Sequence, residues 1–233
     1  MSIALSTGKK ADKVIENVEM LKDSFFVSMS VQSMDNVVLE EIGRKNITPE
    51  KYRQIGQSLS SKQQATLAET IVPLPRETYN GYLDGMKNLV DWGVKRVVTN
   101  TLMLLNGTAY ANDDFVSKYD YTTKYRLLTE NFGEYGGEKV FDYEHVGVAN
   151  NSMDFDEYLK INKLSLLLEV LFNSSIFYEI ERFVSDHNLK YSDFIILVFQ
   201  ELDYSCDKIK EIFDSVIQET KETLFDTEES LLE

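Results

Sequence analysis

Apolar positions in the first hundred residues switch between helical spacing and short continuous runs. Val14, Val18 and Leu21 fall on one face of a helix read over Ala11 to Leu21. Phe25 to Val31 is a run of aromatic and β-branched residues, the pattern of a buried strand. Asp35 is placed to cap a short helix through Ile42. Thr48-Pro49-Glu50 predicts a stronger start, with a hydroxyl cap, proline at the first helical position and an acid in the first turn. That helix should run to about Leu59. Glu69 to Val72 reads as the next strand, stopped by Pro73 and Pro75. Thr78 opens a helix to about Trp92, and Gly93 ends it. Val94 to Leu105 contains Val97-Val98-Thr99 and reads as a strand running into a loop.

Strand–helix–strand alternation at this spacing predicts parallel βαβ units. Three such units do not close a barrel, which takes eight. The pattern changes after Leu105. Residues 106–151 are rich in Gly, Asn, Tyr and Asp, and only Lys139 to Val148 suggests a strand. Asp154 with Glu157 forms a capping-box pattern, opening a helix through Leu168 and on toward Phe172. Phe177 to Val184 and Ser192 to Leu202 are further helix candidates. Ile209, Ile212, Phe213, Val216 and Ile217 make the amphipathic stripe of a last helix, and the acidic tail from Asp226 is expected to fray.

Composition narrows the function. The 233 residues carry 24 Lys and Arg against 39 Asp and Glu, a formal net charge of -15. Such a surface repels phosphate backbones and anionic membranes, so neither nucleic acid nor membrane is an expected partner. Hydrophobic residues make up 43%, enough for a sizeable core. The single cysteine, Cys206, excludes an intrachain disulfide and any metal site built from several cysteines of this chain, and suggests a reducing, cytoplasmic setting. No apolar stretch reaches the ~20 residues of a membrane helix.

Ordinary catalytic templates are missing: there is no HExxH, GxSxG, Walker A or GxGxxG. Asp142-Tyr143-Glu144-His145 looks like a ligand cluster. On a strand, however, Asp142 and Glu144 face away from His145. No metal ligands are expected. Two segments say more. Ser28 to Asp35 reads as a strand whose C-terminal end carries polar groups, and Glu69 to Thr78 as an acid, a strand and a Pro-rich turn into a helix. Ligands bind at the C-terminal ends of parallel strands. For Gln32 and Ser33, a turn and a site are equally good readings.

In this order the segments resemble the radical S-adenosylmethionine superfamily. VSMSVQSMDNVVLEEIGRKNITPEKYRQI is similar to the family's fourth-strand region, which ends in a Gln-Ser pair. AETIVPLPRETYNGYLDGMKNLVDWGV is similar to the fifth, and VKRVVTNTLMLLNGT to the sixth. The run from Lys118 to Asn173 resembles the C-terminal extension of radical enzymes that often carry a cobalamin-binding domain. The resemblance covers roughly residues 5–175. It departs from the family in three places: the CxxxCxxC motif is absent, Pro73 stands where Gly is usual, and Arg76 replaces the second Gly.

The resemblance implies an α/β fold: a partial TIM-type parallel βα barrel over residues 1–105 (about strands four to six), then a loop-rich and mostly helical extension over 106–233. It implies that Ser28, Ser30, Gln32 and Ser33 lie near cofactor or substrate at the barrel mouth. Glu69 matches the acid before the fifth strand, and Glu77-Thr78 the turn after it, with Thr78 a helix cap. Leu102 to Leu104 would pass beside the adenine site. The implied cofactors are S-adenosylmethionine, a 4Fe-4S cluster held by three thiolates and, in some members, cobalamin. The chain is then expected to be the C-terminal part of a radical enzyme acting on a small molecule, inactive alone for want of cluster cysteines. The alternative is a non-catalytic subunit or interaction module that completes a cluster-bearing partner.

Overall fold

The structure is a computed structural model that describes residues 3–6, 25–60 and 66–231. The helix expected over Ala11 to Leu21 lies outside the described residues. Strands β1 (Ile3–Ser6), β2 (Phe25–Gln32), β3 (Thr66–Val72) and β4 (Arg96–Met103) pair in parallel and in sequence order. A hairpin of β5 (Thr122–Tyr135) and β6 (Glu138–Ala149) then joins through β6, antiparallel to β4, so the order is β1-β2-β3-β4-β6-β5. Sequence reading found neither β1, which is only four residues long, nor β5. The β5 segment TTKYRLLTENFGEY carries too many polar residues to show a strand period.

The helices start where local chemistry directs. Helices α1 (Asn36–Glu41) and α2 (Pro49–Ser60) follow β2. The Asp35 side chain caps α1 by accepting from the Val37 amide. Helix α3 (Tyr79–Asp91) is capped by Thr78, which accepts from Gly81 at 3.1 Å, and closes at Gly93 with φ +83°. Helix α4 (Asp113–Lys118) precedes the hairpin. Helix α5 (Phe155–Leu168) begins in the full Asp154–Glu157 capping box and continues into a π-helical turn, Glu169–Asn173. Helices α6 (Tyr178–Asp186), α7 (Tyr191–Glu201) and α8 (Asp207–Glu222) complete the layer.

The two faces of the sheet differ. Along β3, Thr66, Ala68, Thr70 and Val72 are buried while Leu67, Glu69 and Ile71 are half-buried, the alternation of a strand. The main core joins the first set, with Met29, Val31, Val97, Val146 and Val148, to apolar residues of α2, α3, α5 and α7. The opposite face carries Ser28, Glu69, Asn100 and Leu102. A second cluster of Val38, Leu74, Leu102, Leu104, Tyr119 and Tyr121 closes its C-terminal end. Gly147 makes that cluster possible: a Cβ there would stand 2.9 Å from the Tyr121 ring.

The acidic tail is docked rather than frayed. Phe225 exchanges two backbone hydrogen bonds with Tyr125 on the outer strand β5, and Asp226 pairs with Lys124. Backbone pairing on an outer strand outweighs the tail's polar composition. No helix among the described residues is long and apolar enough to cross a membrane.

Candidate functional site

The ends of β2 and β3 form the site. A bulge between Ser30 and Gln32 shifts the register of β2 against β3, and Gln32 adopts φ +61°. Beyond it the chain turns so that Ser33 is buried. Its hydroxyl donates to Glu77 Oε1 at 2.6 Å and accepts from the Asp35 amide at 3.1 Å. The Asn46 side-chain amide donates to the Ser33 carbonyl at 2.7 Å.

The turn after β3 is held on several sides. It begins with a cis peptide at Val72-Pro73, and Arg76 takes φ +65°. Tyr121 donates to the Pro73 carbonyl at 2.9 Å, and the Asn150 side chain to the Leu74 carbonyl at 3.0 Å. Each buried carbonyl of this turn therefore finds a donor from outside β3. Arg76, at a position where the family usually has glycine, reaches outward to Glu41 at 3.4 Å.

Glu77 is the most perturbed group here. It is 2% exposed, and burial pushes its carboxyl up to about 8, although hydrogen bonds from Ser33 and the Leu74 backbone pull the other way. Its Oε2 is buried with no hydrogen-bond partner among the described residues. At neutral pH the group is largely a neutral acid that ties the end of β2 to the turn after β3. Sequence reading placed Glu77 only as part of that turn. Its spacing to Ser33 of 44 residues gives no local signal of their contact.

The other expected site residues divide. Ser28 donates to Glu69 Oε2 at 2.8 Å, so those two are brought together on the face opposite the main core. Glu69 lies inside β3 rather than before it, because the strand starts three residues earlier than its apolar run. The side chain of Ser30 lies outside the described part; its backbone pairs with Glu69. Gln32 is half-buried at the bulge. The Leu102 side chain is 3% exposed in the second cluster. Thr78 is a helix cap, as expected. In the Asp142–His145 run, Glu144 pairs with Arg126 while His145 stacks on Tyr125. No group of three or more His, Cys, Asp or Glu among the described residues is arranged to hold a metal.

Two curated proteins share a 66-residue stretch with this chain at 39% identity, covering 28% of it. One is the cobalamin-dependent radical SAM methyltransferase TokK of Streptomyces tokunonensis. The other is a 2-(S-pantetheinyl)-carbapenam-3-carboxylate methyltransferase of Streptantibioticus cattleyicolor. The chain spans about a tenth of the length of these relatives, since the match covers 10% of each. Among solved structures, coproporphyrinogen III oxidase (HemN) of Escherichia coli, a radical SAM enzyme, aligns over 42% of this chain and 23% of its own. That alignment has a TM-score of 0.36 and 19% identity. No family model matches. Over the shared stretch, the resemblance to the radical S-adenosylmethionine superfamily is thus shown by named relatives.

Proposed function

We propose that this chain forms the S-adenosylmethionine- and substrate-facing portion of a cobalamin-type radical S-adenosylmethionine enzyme. Its sheet would then be part of a βα barrel. The observation that carries this reading is the 39% identity over 66 residues to a cobalamin-dependent radical SAM methyltransferase. Four parallel strands in sequence order, with the main core on one face, support the barrel reading. The opposite face would be the barrel interior.

The 4Fe-4S cluster does not fit this chain. Its three thiolates are missing: Cys206 is the single cysteine and sits exposed at the start of α8. Those ligands would come from residues beyond these 233 or from a partner subunit. The same deficit favours the second reading, a subunit that completes a cluster-bearing chain.

S-adenosylmethionine fits better. When bound, it supplies a methyl group or, on reductive cleavage, a 5′-deoxyadenosyl radical. The chain's own part is positioning. Ser28 orients the Glu69 carboxylate, whose second oxygen has no partner among the described residues and suits a ligand hydroxyl or amine. The Ser33–Glu77 tie holds the two strand ends in register beside that pair. Calorimetric titration of the 233-residue chain with S-adenosylmethionine tests the reading. Saturable binding, weakened about tenfold by Glu69→Gln, is expected. No binding, or equal binding by the variant, overturns it.

A further inference from the structure

The helical layer carries an apolar groove far from the strand ends. Helices α5, α7 and α8 meet around 610 Å³ of space. Leu167, Leu171, Val198 and Phe213 are among its walls, and Leu197 of α7 and Ile212 of α8 stand on its rim, 55% and 58% exposed. Val170 and Ile209 extend the same surface. Single exposed apolar residues are ordinary, but a contiguous patch of this kind marks an interaction surface.

Charge selects the occupant. Glu201 lines the groove itself. Residues 166–214 carry ten acidic side chains against four basic ones, and one of the four, Lys210, stands near Asp203. A second copy would bring its own -15 charge to an acidic rim, and an anionic lipid surface would be repelled as well. We infer that this groove docks an amphipathic helix of a partner protein, with apolar residues at i, i+3 or i+4 and i+7 entering the groove and Lys or Arg flanking them. The shape supports a helix, because the groove runs between the helices α7 and α8 and offers rim contacts along both. The inference does not depend on radical chemistry at the strand ends.

The probe is a fluorescein-labelled amphipathic peptide with a leucine face and a lysine face, titrated into the 233-residue chain and read by anisotropy at low and moderate salt. A control peptide carries glutamate in place of lysine. Saturable binding of the lysine peptide is expected, with the double variant Leu197→Glu/Ile212→Glu losing about tenfold or more in affinity. Glu201→Lys should weaken binding and flatten its salt dependence. Both apolar positions are more than half exposed, so the variants should keep the parent's circular dichroism. Equal binding by parent and double variant, or by the two peptides, overturns the inference. So does a concentration-dependent dimer of the parent chain, seen by sedimentation and abolished in the double variant, because a second copy would then be the occupant.

Discussion

On the core face of the sheet, hydroxyls are tied to the helices; on the opposite face, the polar pair is tied only within the sheet. Tyr82 of α3 bonds to Thr99, and Tyr158 of α5 meets Thr101 at 2.9 Å. These four groups are consumed in docking α3 and α5 onto β4. Ser28 and Glu69 on the other face bond only to each other. The same residue types thus serve packing on one face and stay within reach of a ligand on the other. What separates them is whether an apolar helix seals the surface around them.

Packing mutations should break this contrast most strongly. Leu164 of α5 is fully buried in the main core. Leu164→Ala should cost about 2–5 kcal/mol in urea unfolding, through lost burial and the cavity left behind. Next in size is the buried acid between the faces. The carboxyl of Glu77 is held near 8, above its ordinary 4.5, so the folded state favours its neutral form. Its contribution is fully present below about pH 4.5 and is lost as pH rises toward 8. The loss is on the order of a few kcal/mol. Glu77→Gln keeps the shape without the titration. Melting curves from pH 5 to pH 9 should show the parent losing stability that the variant keeps. An identical pH profile for both would place the titrating group elsewhere. The smallest effect belongs to the opposite face: Ser28→Ala should change stability by about 1 kcal/mol or less, because Glu69 there can still be hydrated. A larger cost would mean that this face is as sealed as the first.

Much of the parallel half was legible locally. Asp35, Thr48 with Pro49, Thr78 with Gly93, and Asp154 with Glu157 each start or stop a helix through contacts within a few residues, and each was read correctly. The hairpin was legible only in β6. Val146 and Val148 of β6 are buried in the main core, whereas β5 is an outer strand half-exposed along its length. A strand that buries little on either face writes little periodicity into its sequence. The tail was misread for a related reason: its anchor is the backbone of Tyr125, and backbone pairing leaves no side-chain signature.

By itself, then, the sequence determined the helix boundaries, the parallel alternation, the acidic surface and the lack of cluster thiolates. Each of these depends on residue type or on neighbours within a few positions. Only the tertiary structure decided which polar residues became a site. Ser33 and Glu77 lie 44 residues apart and meet because a bulge in β2 and a turn after β3 end side by side. The raised acid of Glu77 follows from that burial, since a carboxyl loses its hydration only when chain from elsewhere excludes water. The pairing of Ser28 with Glu69, and the sealing of Leu102 beneath Tyr121, were likewise set by strand register across the sheet, which no local pattern encodes.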